Sequence, residues 1–429
     1  MGDGRGHSGQ HGIGPGETAI GVIIGRTSEF FDFFVFAIAS VLVFPRHVFP
    51  FVDPVTGTLY SFGFFAIAFL ARPFGTALFM KIDRAHGRGV KLTTALFTLG
   101  TSTAGMAFLP SYETIGIAAP ILLALFRIGQ GLAMGGVWDG LASLLSVNVD
   151  PKRRGWYAMI PQLGAPLGLV VASGLFAYFY GNLTRADFYD WGWRYPFFVA
   201  MAINVVALFA RLRIVVTEEY QNQFEARHLQ PTPIFQTIRE EGMTIVLGAF
   251  VPLASFALFH MVTVFPLSWV FLYTEESISH FLVIEMIGAL FGVAAMVVGG
   301  WLSDRHGRQL MLGATALAIA IFSGFAPLLL NGGDIGELAF MIIGFSILGL
   351  CFGQASGSVA SNFGVKNRYT ASALTSDFAW LLGAGFAPLA ALSLASAFGL
   401  GASGGYLLSG AVCTLIALYV SYQKRGQLD

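Results

Sequence analysis

Residues 29–34 read EFFDFF, and Arg26 stands three positions before them. Arg26, Glu29 and Asp32 follow one another at i, i+3 and i+6, which lines up one cation and two acids on a single helix stripe. The run from Thr18 to Phe44 is otherwise almost wholly apolar. A charge deep in hydrocarbon is costly, so it faces a partner or a water-filled cavity. Burial favours the neutral acid and a nearby guanidinium favours the carboxylate, and the two together leave a carboxyl able to exchange a proton. A further cation, Arg127, interrupts another apolar run. A guanidinium freed from an acid can hold a carboxylate through two parallel hydrogen bonds. The chemistry on offer is proton exchange beside anion binding.

The elements that carry these groups are membrane helices. The chain has 429 residues, 55% hydrophobic and 11% charged, with mean hydropathy +0.70. Soluble domains carry about 25% charged residues. The net charge is +0, which argues against a nucleic-acid partner. Spanning needs about 20 mostly apolar residues. Twelve stretches qualify: 18–44, 59–80, 92–109, 116–147, 157–180, 195–214, 243–272, 281–302, 310–330, 337–362, 370–396 and 403–421. The charged, proline-bearing stretch 215–242 divides them six and six. The expected organisation is a flexible tail 1–17, a bundle 18–214, a linker 215–242, a bundle 243–421 and a tail 422–429. The tail 1–17 lacks the apolar core of a signal peptide.

Lysine and arginine set the expected orientation. With the N-terminus inside, 19 of the 24 fall on the cytoplasmic side and Arg46, Arg185 and Arg194 outside, while Arg72 and Arg127 lie within helices. Both termini are therefore expected in the cytoplasm. A repeat supports the division into halves: DRAHGR (83–88) follows the second helix and DRHGR (304–308) the eighth. Paired six-helix halves are an architecture of secondary transporters.

GWLSDRHGRQ (300–309) resembles the loop motif of the major facilitator superfamily. EFFDFF, FLARPFG (69–75), RRGWYAMIPQLGAPLG (153–168), GWRYPFF (192–198) and NRYTASAL (367–374) are similar to its metabolite:H+ symporter family, importers of organic acids and compatible solutes. The resemblance implies an all-α integral membrane fold of twelve helices in two pseudo-symmetric bundles. It also implies that the first and fourth helices adjoin the central cavity. Asp32 and Arg127 both lie roughly 17–18 Å from the outer face at about 1.5 Å per residue, so they are expected to pair, with Glu29 held by Arg26 or facing the cavity. Protonation of Asp32 would free Arg127 for a substrate carboxylate.

Around this pair, Gln130, Met134 and Trp138 share a face with Arg127, and Gln130 and Trp138 are candidate substrate contacts. Gly131, Gly135 and Gly136 allow close helix approach. The family's usual Glu is replaced by Val137, and an unfamiliar acid, Asp139, stands nearby. In the first loop Asp83 and Arg84 are shifted one residue relative to Gly87 and Arg88, whereas Asp304, Arg305, Gly307 and Arg308 keep the regular spacing. These loop residues are expected to latch the halves together. Arg72 either snorkels or holds the loop acids. His260 is a second titrating group or a packing residue. Gln354 is a candidate cavity contact, and Asp377, where the family has an amide, a specificity residue or second proton site. Glu285 is expected to be solvated near the outer interface, and Pro266 to kink the seventh helix.

GRGHSG (4–9), GASGG (401–405) and NLT (182–184) match motifs by pattern only, and no metal-ligand spacing is present in the sequence. The two cysteines, Cys351 and Cys413, lie in apolar segments and read as small hydrophobes. The expectation is a bacterial inner-membrane carrier, not an enzyme, working as a monomer. It would import a small organic acid or zwitterion with a proton as coupling ion and no cofactor. Uniport or exchange, export, and a transporter-like receptor are the alternatives.

Overall fold

The computed structural model describes residues 15–137, 149–215, 230–360, 363–364 and 366–425. Trp138 and Asp139 lie outside the described residues, as do half of the linker and the two chain ends. All regular structure among the described residues is helical. In lipid a backbone must satisfy its own polar groups, and apolar runs of this length do so as helices.

The first half contains α1 (Pro15–Leu42), α2 (Pro54–His86), α3 (Arg88–Ala107), α4 (Ala118–Val137), α5 (Arg154–Asn182) and α6 (Tyr195–Val215). The second contains α7 (Leu253–Tyr273), α8 (Ile278–His306), α9 (Arg308–Leu330), α10 (Gly333–Ala360), α11 (Arg368–Phe398) and α12 (Gly401–Arg425). Ten of these are long and apolar enough to cross a membrane by composition alone. The other two are α1, which carries Arg26, Glu29 and Asp32, and α3, which is rich in threonine and glycine. A lead-in helix, Ile234–Phe250, precedes α7 and starts inside the stretch read as linker. Its apolar side is seated by buried Thr237, Ile245 and Ala249. Within α7 the helix breaks at Val264, directly before Phe265–Pro266, as the proline predicts.

The halves repeat in their packing. α2 lies on α4 as α8 lies on α10, and α3 lies on α6 as α9 lies on α12. Gly75 of α2 and Gly131 and Gly135 of α4 permit the first of these contacts: a Cβ on Gly131 would come within 2.4 Å of the Ala68 carbonyl oxygen. The repeat extends to the loops. Gly87 and Gly307 both adopt positive φ, +83° and +85°, and connect helices that end at His86 and His306. We call this end of the molecule the motif end. Between the halves, α5 packs along α8 and α2 against α11. Glu285 of α8 is not solvated: it is fully buried at the α5–α8 contact, where Ser173 Oγ donates to it at 2.9 Å. Its helix faces α5 rather than lipid or water at that level, which the sequence pattern of α8 alone does not reveal.

Candidate functional site

Asp32 has 0% exposed surface and projects from α1 into the interior of the first half. Three neutral side chains donate to its carboxylate. Thr103 Oγ1 of α3 lies 2.8 and 2.7 Å from the two oxygens, Gln130 Nε2 of α4 lies 2.9 Å from Oδ1, and Asn204 Nδ2 of α6 lies 2.8 Å from Oδ2. Ser28 Oγ donates to Asn204 Oδ1 at 2.8 Å and fixes the amide's orientation. Four helices of one half thus converge on one acid.

Arg127 is not the direct partner of Asp32. Gln130 stands between them, accepting from Arg127 Nη1 at 2.8 Å through Oε1 while its Nε2 reaches Asp32. The remaining guanidinium nitrogens turn to the Phe65 carbonyl oxygen of α2, at 3.3 and 3.0 Å. The cation rests over the Phe36 and Phe65 rings, 4.0 and 5.1 Å from their centroids. The expected depth placed both groups within reach of one network, but two neighbouring helices at one level can present their side chains in different directions. One turn of α4 puts Gln130 in the gap.

A small cavity of about 50 Å³ lies beside this network, lined by Arg26, Glu29, Arg72, Met134 and Val137, with walls from Phe30, Phe33, Phe69 and Trp380. It has space for a few water molecules. Arg26 and Glu29 form an ion pair, with the Arg26 guanidinium 5.0 Å from the Phe30 centroid. Both expectations for Glu29 are met together: it is held by Arg26 and faces the cavity. Val137, where the resemblance places Glu, contributes an apolar wall.

Arg72 neither snorkels nor holds the loop acids. Its Nε lies 2.7 Å from Asp377 Oδ1 of α11, and Thr76 Oγ1 donates to Asp377 Oδ2 at 2.5 Å. This ion pair joins the two halves. α2 turns Arg72 towards α11, and Asp377 supplies a closer anion than Asp83. His260 is fully buried among aromatic rings, stacked on Phe33 at 5.3 Å and edge-on to Phe65 at 5.2 Å, with Nδ1 3.3 Å from Thr263 Oγ1. That geometry is the packing role. Gln354 does not face the cavity: its Nε2 donates to the Gly155 carbonyl oxygen at 3.0 Å, tying α10 to the start of α5.

At the motif end Asp304 crosses between halves. It accepts from the backbone N–H groups of Gly155 and Trp156, at 2.6 and 3.1 Å, and so caps α5 from the other half. Gly155 is needed for this approach, because a Cβ there would sit 2.8 Å from Asp304 Oδ1. Asp83 does not cross. Arg88 lies 3.0 Å and Lys91 3.6 Å from it, both in its own half. The crossing is made instead by the cations, with Lys91 Nζ donating to Tyr369 Oη at 2.8 Å and Arg88 4.7 Å from the Tyr369 centroid. Arg84 reaches the Thr232 carbonyl oxygen at 3.2 Å, Arg305 stays over Trp301 of its own helix at 3.9 Å, and Arg308 opens α9.

Residues that the sequence reading missed are Thr103, Asn204, Thr76 and Tyr369. Asn204 had a signal, since a lone amide in AMAINVVALF has little reason to be there unless it meets a partner. The two threonines had none, because threonine satisfies its hydroxyl on its own helix.

Among the described residues, ten helices long and apolar enough to cross a membrane, with α1 and α3 packed among them in two repeating halves, define a multi-pass membrane protein. The sequence profile of the Major Facilitator Superfamily matches residues 22–388. The chain is 38% identical over 411 residues to the inner membrane metabolite transport protein YhjE of Escherichia coli (strain K12), covering 94% of this chain and 93% of that one. It is 30% identical over 402 residues to the shikimate transporter of the same organism, covering 89% and 88%. The crystal structure of a D-xylose-proton symporter shares the fold, with TM-score 0.70 over 94% of this chain and 96% of that one at 17% identity. The chain belongs to the major facilitator superfamily, on the metabolite:H+ symporter branch that its motifs resemble.

Proposed function

We propose that this transporter imports a small organic acid together with a proton across a bacterial inner membrane, by alternating access. The observation that carries the reading is the Asp32 network: a fully buried carboxyl held by three neutral donors, with Arg127 one amide away. A carboxylate so placed is held directly by neutral donors, so proton binding removes a costly buried charge, while Arg127 keeps its contacts to Phe65 and Gln130. Two arginines line the cavity beside it, Arg26 held by Glu29 and Arg72 held by Asp377, so an anion binds there by exchange with one of these acids. The similarity to a shikimate transporter supports an organic-acid substrate. In this reading residues 18–214 and 243–421 rock about the cavity, joined by the linker 215–242. The motif end and both chain ends are cytoplasmic. The working unit is one chain, and the proton is the coupling ion without further cofactor.

The test is internal pH in proteoliposomes to which organic acids are added outside. Internal acidification above that of empty liposomes, lost in Asp32→Asn, is the expected outcome. Uniport is the second reading, favoured by Val137 in place of the family's Glu at the cavity wall. Labelled substrate entering with no proton movement would establish it and end the coupled reading.

A further inference from the structure

Every donor to Asp32 belongs to its own half, so rocking of the halves leaves that network intact. The contact between Arg72 and Asp377 is different, because α2 and α11 lie in opposite halves and must part when the motif end opens. Arg72 is 14% exposed and Asp377 3%, and the exposed edge of Arg72 lines the central cavity. Of the other arginines near the cavity, Arg26 already has Glu29 as counter-ion, and Arg127 is committed to Phe65 and Gln130. A second feature marks the place. α11 passes through a π-helical turn, Leu381–Gly385, directly after Trp380, and π turns gather at functional sites. At its end Gly385 lies against α2, where a Cβ would come 2.9 Å from Phe69 Cβ.

We propose that Arg72 is the subsite for the substrate's carboxylate and that Asp377 occupies it until a proton and the substrate displace it together. This rests on the reading of a proton-coupled organic-acid carrier and names its anion site. The exchange balances. Before it, the guanidinium faces the Asp377 carboxylate. After it, the guanidinium faces the substrate carboxylate and Asp377 is a neutral acid. One monocarboxylate and one proton have entered, the net charge of the site is unchanged, and no buried charge is left without a counter-ion. The same event breaks the bridge between α2 and α11. The substrate class follows from the count of cations. Displacing Asp377 frees one guanidinium, so a monocarboxylate is matched, whereas a second carboxylate would lie beside Glu29. The Phe30, Phe69 and Trp380 walls suit an apolar or ring-shaped body.

The charged groups around Asp377 are few. Arg72 faces it from α2, while Arg26 and Glu29 line the same cavity from α1. From α7, His260 lies 6.5 Å from Trp380, measured between rings. On the lead-in helix Glu240 holds Lys366 and Asn367, beside Arg239 and Glu241, and that contact lies about 15 Å of helix away from Asp377 at ~1.5 Å per residue. On α11 itself Tyr369 is engaged by Lys91. α10 presents Gln354, which is bonded to Gly155.

The test is proton uptake by the purified full-length protein in weakly buffered detergent, on addition of shikimate, benzoate or lactate as probes. Wild type should take up protons on binding, and Asp377→Asn should lose about one proton per carboxylate bound. Its affinity should no longer change with pH, where wild type weakens about tenfold per unit on the alkaline side. Asp32→Asn, although it loses the transport-linked acidification, should still take up the Asp377 proton on binding, and Arg72→Gln should abolish binding while Arg72→Lys retains it in part. If Asp377→Asn binds with the wild-type proton count, this site is wrong and coupled transport stands. If wild type binds without proton uptake, or binds none of the probes, both readings fall. Should Asp377→Asn not fold, Asp377→Glu decides the matter: a displaced pH midpoint for binding supports the exchange, and an unchanged pH profile overturns it.

Discussion

The two motif loops share a backbone and differ in what their acids hold. The Gly87 N–H reaches the Asp83 carbonyl oxygen and the Gly307 N–H reaches that of Ser303, each at 3.0 Å. Asp83 therefore occupies the place of Ser303, and Asp304 stands one residue further on. One residue is about 100° around a helix. That rotation turns Asp83 back onto Arg88 and Lys91 of its own half and sends Asp304 across to the first turn of α5. The same loop thus serves as an internal brace in one half and as a clasp between halves in the other. A single step of register separates an acid that braces its own half from one that clasps the two halves together.

The comparison can be broken most severely at Asp83. Its side chain and those of Arg88 and Lys91 are each under 5% exposed. Asp83→Asn removes the shared anion from two buried cations and should destabilise the protein by roughly 3–5 kcal/mol. Thermal unfolding in detergent measures this, and a loss no larger than that of Asp304→Asn would contradict the brace. Next comes the shared backbone. Gly87→Ala and Gly307→Ala force a Cβ into a conformation reserved for glycine, at about 1–3 kcal/mol each. Equal losses confirm that the loops are equivalent, and a marked inequality would show that one loop relaxes. The smallest stability effect is expected at Asp304. Asp304→Asn keeps one acceptor and should cost about 1 kcal/mol. Its consequence is conformational. Labelling of a cysteine introduced at the motif end of α5 should rise because the clasp is weakened, whereas Asp83→Asn should unfold the protein without selectively opening that end.

The aromatic seam between α1 and α7 supplies a neutral counterpart to these charged contacts. Phe30 and Phe34 meet Phe259 at 5.9 and 5.7 Å, and His260 lies within the same stack. Such contacts can slide with little electrostatic cost, whereas Arg72–Asp377 and Asp304–Gly155 cannot part without replacing a charge interaction. The closure of the molecule is therefore concentrated at a few polar points set in a forgiving apolar surface.

Much of this architecture is written along the chain. Runs of apolar residues and the lysine and arginine between them determined the helices and their division into halves. The repeat of DRAHGR and DRHGR determined the loop geometry, down to the one-residue shift. Helical periodicity put Arg26 and Glu29 on one stripe, because spacing along one helix is a local property. Which helix stands opposite is not local. The interposition of Gln130 before Arg127, the pairing of Arg72 with Asp377, the burial of Glu285 on Ser173 and the turn of Gln354 to Gly155 each join residues far apart in sequence. Their partners depend on how helices from distant parts of the chain rotate and cross against one another, and that direction is decided when the bundle packs.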